Sequence, residues 1–193
     1  MKTLLTFFIL LFSSSVIADD ISDFEIEGMS IGDSLLEYFS EEEILEEIKR
    51  NLNFYEDQGY DNTFVEVNFF AKKNTYDVLT FFIKPNDQKY IIYSLSGRVH
   101  YKENIDQCYE KLNEIVEEIS SMFKYEKKNK IETTHPADIT GKSTYKSVEF
   151  FLNSNERVQV YCLDFDESMQ TEGDNLDSLS IFMDSKEFIE WFN

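Results

Sequence analysis

Apolar residues recur along this chain with two periods, and each change of period marks an element. Ile44, Leu45, Ile48 and Leu52 keep helical spacing, and Ser40 three residues before Glu43 makes a capping box. Glu41, Glu42 and Glu43 then sit at the positive end of the helix dipole and Lys49 and Arg50 at its negative end. Ahead of this helix, residues 24–27 alternate as a short strand would, 28–33 read as a turn, and Leu35 and Phe39 share a helical face. Residues 64–71, 76–84 and 90–96 are rich in aromatic and β-branched side chains, and their short connections at 72–75 and 85–87 predict an antiparallel meander. Asn104 opens the longest predicted helix, whose stripe runs from Ile105 through Cys108, Leu112, Ile115, Val116 and Ile119 to Phe123.

Residues 125–143 carry no period and read as a surface loop or hinge. Strand patterns resume at 145–152, 157–165 and 178–183, and a last helix is expected from Asp184, with Glu187 completing a second capping box. Three strands followed by a helix thus occur twice, and Val67-Asn68-Phe69-Phe70 echoes Val148-Glu149-Phe150-Phe151. The fold class is therefore α+β: an antiparallel sheet of about six strands with helices packed on one face, its two halves each reading as a ββ(β)α unit. A sheet covered on one side leaves its other face open to solvent or a partner.

Lys2, an apolar run over residues 4–12 and the small residues before Ala18 have the order of a cleavable secretory leader, so residues 1–18 are expected to be removed and 19–193 to form a single domain. About 175 residues are enough for one sizeable core. The apolar run is too short to span a bilayer, and no Cys follows the cut to carry a lipid. The expected location is periplasmic or secreted. A net charge of −20 repels phosphate backbones and anionic lipid, which argues against nucleic acid as a partner. With 2 prolines and 6 glycines the composition is neither disordered nor collagen-like.

Cys108 lies on the buried helical stripe, and Cys162 shares a strand face with Val158 and Val160. Two cysteines in an exported chain favour a disulfide. The objection is geometric: helix and sheet layers lie about 10 Å apart, whereas bridged Cα atoms approach within about 7 Å.

Three constellations bear on chemistry. Gly28-Met29-Ser30-Ile31-Gly32 matches the G-x-S-x-G nucleophile elbow and makes Ser30 the catalytic candidate of a secreted serine hydrolase. Its required acid and base are poorly supplied, since His100 and His135 are the histidines and Asp138 follows His135; the plain alternative is a Gly-flanked turn. Asp164, Asp166, Glu167, Glu172, Asp174 and Asp177 gather carboxylates around one loop, which suits a hard cation such as calcium, although the EF-hand spacing is missing. Phe64, Phe70, Tyr76, Phe81, Phe82, Tyr90, Tyr93, Tyr145, Phe151 and Tyr161 occupy both parities of their strands, more aromatics than one buried face needs. Outward-facing members would make a docking patch for an envelope protein or peptide. No cofactor is implied.

Residues 26–39, Ile26-Glu27-Gly28-Met29-Ser30-Ile31-Gly32-Asp33-Ser34-Leu35-Leu36-Glu37-Tyr38-Phe39, with Tyr90-Ile91-Ile92-Tyr93-Ser94-Leu95-Ser96-Gly97 and the Cys108 helix, resemble a group of uncharacterised exported proteins of AT-rich marine bacteria. That resemblance covers about half of the chain after the leader and implies export without implying an activity. The Gly28–Gly32 segment is also similar to the opening of small outer-membrane assembly lipoproteins, whose lipid-attachment Cys this chain lacks. The function expected from the whole is a non-catalytic binding or accessory module, with the Ser30 hydrolase and a calcium-dependent module as alternatives.

Overall fold

The computed structural model describes residues 20–52, 61–70, 75–101, 104–135, 138–170 and 175–192. The expected leader and its cut after Ala18, the 72–74 connection, Glu172 and Asp174 lie outside them. The described chain is α+β. Seven strands, β1 (Val65–Phe70), β2 (Val78–Ile83), β3 (Ser94–His100), β4 (Lys127–Thr134), β5 (Thr144–Phe151), β6 (Arg157–Asp164) and β7 (Ser178–Asp184), form one antiparallel sheet in the order β1-β2-β3-β7-β6-β5-β4. Three helices accompany it, α1 (Glu41–Asn51), α2 (Ile105–Met122) and α3 (Lys186–Phe192). None is long and apolar enough to cross a membrane.

The first meander, β1 to β3, meets the second, β4 to β7, where β3 pairs with β7 along Ser94↔Asp184 to His100↔Ser178. α2 carries the chain from the centre of the sheet to its far edge. Strand alternation sends Val65 and Val67, Leu79 and Phe81, Leu95, Val158 and Val160, Leu179, Ile181 and Met183 to one face, where they merge into a single core. Cys108, Leu112, Ile115, Val116 and Ile119 of α2 cover it, together with Ile44 and Ile48 of α1 and Ile21, Phe24, Ile26, Met29 and Leu35 of the N-terminal segment. The capping box of α1 is formed as its sequence predicts, and Asn104 caps α2 by accepting from the Asp106 amide. Leu45 leaves the predicted stripe and is 49% exposed.

Four expectations are corrected. The sheet has seven strands, not six, because residues 127–134 form β4, within the stretch read as a loop or hinge. The helices do not share one face: Phe188 of α3 packs on Phe82, 4.6 Å between ring centroids, on the side away from α2. Asp184 does not cap α3; the Phe188 amide donates to Ser185 Oγ, and Asp184 is held by Arg157. Residues 24–27 are not a strand but lead into a two-residue turn. The echoed segments do occupy related places, since β1 and β5 each stand two strands from the β3–β7 junction, with Val67, Phe69, Val148 and Phe150 on the core side. The halves differ in strand number and in the face covered by their closing helix.

Candidate functional site

The face away from α2 is built by the other parity of the same strands. β3 reads Ser94-Leu95-Ser96-Gly97-Arg98-Val99-His100 and β7 reads Ser178-Leu179-Ser180-Ile181-Phe182-Met183-Asp184, so leucine and isoleucine go to the core while serine, arginine and aspartate go to the opposite face. β6 adds Arg157, Gln159 and Tyr161 to this face, and β5 adds Tyr145, Ser147 and Glu149. The registers align them in rows. One row runs Phe70, Val78, Arg98, Ser180, Tyr161; the next Asn68, Thr80, Ser96, Phe182, Gln159; the third Glu66, Phe82, Ser94, Asp184, Arg157.

A groove of about 650 Å³ lies over these rows. The C-terminal part of α1, through Glu47, Arg50 and Asn51, lines it beside β1, and Phe188 and Phe192 of α3 line it near the third row. Its floor is cross-linked by hydrogen bonds. Thr80 Oγ1 donates to Asn68 Oδ1 at 2.6 Å, and Gln159 Nε2 donates to Ser147 Oγ at 2.9 Å and Tyr145 Oη at 2.7 Å. Tyr145, Tyr161 and Phe182 form a line of neighbouring rings, 5.2 and 5.6 Å between centroids.

The ion pairs of the groove are unequal. Asp184 is fully buried, accepting from Arg157 Nε and Nη2 at 2.9 and 2.7 Å and from Ser94 Oγ at 2.6 Å. Burial pushes its carboxyl up from the ordinary value against the pull of Arg157 and Ser94. Arg157 also reaches Glu149 at 3.3 Å, and Arg50 is bound to Glu47. Glu47 in turn accepts the Asn68 amide at 3.3 Å, which ties α1 to the edge strand β1. Arg98 differs: among the described residues its side chain makes one hydrogen bond, Nε to Ser180 Oγ at 3.3 Å, and faces no carboxylate within ion-pair distance.

The catalytic and metal-ligating candidates read from the sequence fall elsewhere, His100 excepted, whereas Phe70, Phe82 and Tyr161 of the strand aromatics line the groove. Ser30 is buried at 7% exposure and its hydroxyl is committed to the carbonyl oxygens of Ser22 and Phe24, while its amide donates to Asp33 Oδ2 at 2.8 Å. The G-x-S-x-G segment is not a strand-to-helix elbow. Ile26 and Met29 exchange backbone hydrogen bonds across Glu27 and Gly28, both at positive φ, the geometry of a tight hairpin turn. Ser30 is thus the staple that fastens this turn to the preceding segment. The His135 ring lies tilted against Phe165 with centroids 5.0 Å apart, and Asp138 accepts from the amides of Thr140 and Ser143 and from Ser143 Oγ, each at 2.7 Å.

Three carboxylates of the acidic loop are engaged in internal bonds. Asp164 accepts from Tyr109 Oη at 3.0 Å, Asp166 from the Ser168 amide at 3.1 Å, and Asp177 from the Phe165 amide at 2.8 Å, while Glu167 is exposed. Among the described residues no three His, Cys, Asp or Glu side chains form a group that could hold a metal ion. Cys108 and Cys162 are joined in a fully buried disulfide with Cα atoms 6.2 Å apart, so α2 approaches β6 more closely there than layers usually do. Of the ten strand aromatics expected to include an outward patch, Phe70 is largely exposed at 72%, whereas Phe64, Tyr76, Phe81, Phe82 and Tyr90 are buried.

His100 lines the groove, with Nδ1 3.6 Å from Asp77 Oδ2 and Ser178 opposite it in register. Arg98, Arg157, Asp184 and the serine floor were not among the candidates read from the sequence. Their signal in the sequence is the polar parity of Ser94, Ser96 and Arg98 and of Ser178, Ser180 and Asp184, which marks a strand face and names no partner across the sheet. No protein-family model, curated protein or solved structure matches the chain.

Proposed function

We propose that this chain is a non-catalytic binding module, exported and closed by its disulfide, whose ligand lies in the groove on the open sheet face. The observation that carries the reading is the groove itself: about 650 Å³, within the usual range of small-ligand sites, with a polar floor already cross-linked and aromatic rings around it. Such a floor needs no rearrangement to receive a ligand, which keeps the cost of binding low. Its hydroxyl, amide and carboxylate groups are bound to one another, which suits holding a molecule and not attacking one. Burial of the disulfide supports maturation in an oxidising compartment, as the leader pattern does.

The test uses Val78, a partly buried groove residue on β2. Thermal shift of the whole chain is measured against a mixed library of small molecules and short peptides, alongside Val78→Trp, which fills the groove. A ligand that binds the folded state alone must raise Tm. The expected result is a set of compounds that raise Tm of the unsubstituted protein and leave Val78→Trp unmoved. A library without such a compound, or one whose hits act equally on both proteins, overturns the reading.

A further inference from the structure

The chain has three arginines, Arg50, Arg98 and Arg157, and all three line this one groove of a protein with net charge −20. Two of them are bound by carboxylates, Arg50 by Glu47 and Arg157 by Asp184 and Glu149. The third is not. Among the described residues, Arg98 uses one of its five N–H donors on Ser180, and the two terminal nitrogens of its fork make no hydrogen bond. Glu66, on the same face, accepts from Asn68 Nδ2 at 2.6 Å. A half-buried guanidinium whose fork is left open is matched by one planar, two-oxygen acceptor.

We propose that the groove is a binding site for a small amphipathic carboxylic acid, with Arg98 receiving the carboxylate and the rings beneath α3 receiving the apolar body. The assignment rests on the groove being a ligand site and names the class of its ligand. Glu47, Glu149 and Asp184 already engage Arg50 and Arg157, so among the described residues Arg98 alone of the three arginines offers its charge to a guest, which suits a singly charged anion better than a phosphate dianion. Phe182 lines the groove in the second row and Phe192, 39% exposed, lines it over the buried Phe82 and Phe188 at the third, and Arg98 stands four residues along β3 from Ser94 of the third row. Four strand residues span about 13 Å, which sets the ligand's length at that of an arylalkanoate or a medium-chain alkanoate. The volume agrees, since about 650 Å³ accommodates such a molecule and not a folded domain.

The experiment titrates the full-length chain with 4-phenylbutanoate and decanoate and with their primary amides, by calorimetry and by NMR of the arginine side-chain Nε–H signals. The acids are expected to bind at least tenfold more tightly than the amides and to shift the Arg98 Nε–H signal. Arg98→Gln is expected to remove that tenfold preference while the amides bind as before, Arg98→Lys to keep part of it, and Val78→Trp to abolish binding of both. Equal binding of acid and amide, or an unchanged preference in Arg98→Gln, overturns the carboxylate assignment and leaves the groove reading standing. The same holds if neither acid nor amide binds while library peptides still raise Tm. A free-acid tetrapeptide binding more tightly than either small acid also overturns it, by moving the carboxylate to a chain terminus. If nothing from either series binds, both readings fall together. Should Arg98→Gln melt well below the unsubstituted protein, the acid-against-amide comparison on the native chain decides alone.

Discussion

Gly97 is where one absent methyl group decides the packing of an aromatic ring. It lies mid-strand on β3, and a Cβ built there would stand 2.5 Å from the Tyr76 ring, which fills the space above it and is 3% exposed. Gly97→Ala must push a buried ring aside, and such overpacking costs about 1–3 kcal/mol, to be read as a lowered urea midpoint. Asp138 is a second residue whose role is local. Hydrogen bonds from Ser143 and Thr140 hold its carboxyl well below the ordinary value of 3.8. A depressed folded-state value means that its stabilisation is complete above about pH 4 and is lost as pH falls below that. Asp138→Asn is therefore expected to lower the midpoint at pH 7, with the gap to the unsubstituted protein closing between pH 4 and pH 2. A gap that stays constant over that range contradicts the assignment. Neither role was legible beforehand: Gly97 is one glycine in a strand pattern, and the partners of Asp138 are close in sequence but its loop is not periodic.

At the scale of elements, strongly amphipathic segments were readable and weakly patterned ones were not. α1 and α2 announced themselves through capping residues and apolar stripes, and both form where expected. β4 did not, because an edge strand buries little. Within Lys127–Thr134 the aliphatic residue is Ile131, itself 38% exposed, and the strand is held by its backbone ladder to β5. Its lysines also fit an edge that must not recruit further strands. The disulfide ties α2 to β6 over a separation of 54 residues, and removing it by Cys108→Ala with Cys162→Ala is expected to cost about 4 kcal/mol in the loop-entropy account. Equilibrium unfolding in urea, with and without reductant, measures it; a double variant as stable as the native chain would show that the bridge merely decorates the packing.

At the scale of the molecule, the amino-acid order by itself determined the class of the fold, the first meander and the face of each predicted strand that turns to the core. These follow from local periods, because alternation along a strand and a stripe along a helix are set within a few residues of chain. The groove was decided by tertiary structure alone. Arg98 and Ser180 are 82 residues apart and Ser94 and Asp184 are 90 apart, and they meet because β3 and β7 close the two meanders into one sheet. The sequence shows three arginines scattered through an acidic chain. Only the order of the strands, with α3 crossing to the uncovered face, brings them to one surface and, among the described residues, leaves the Arg98 fork open, since cross-strand register is a property of the whole sheet and of no segment within it.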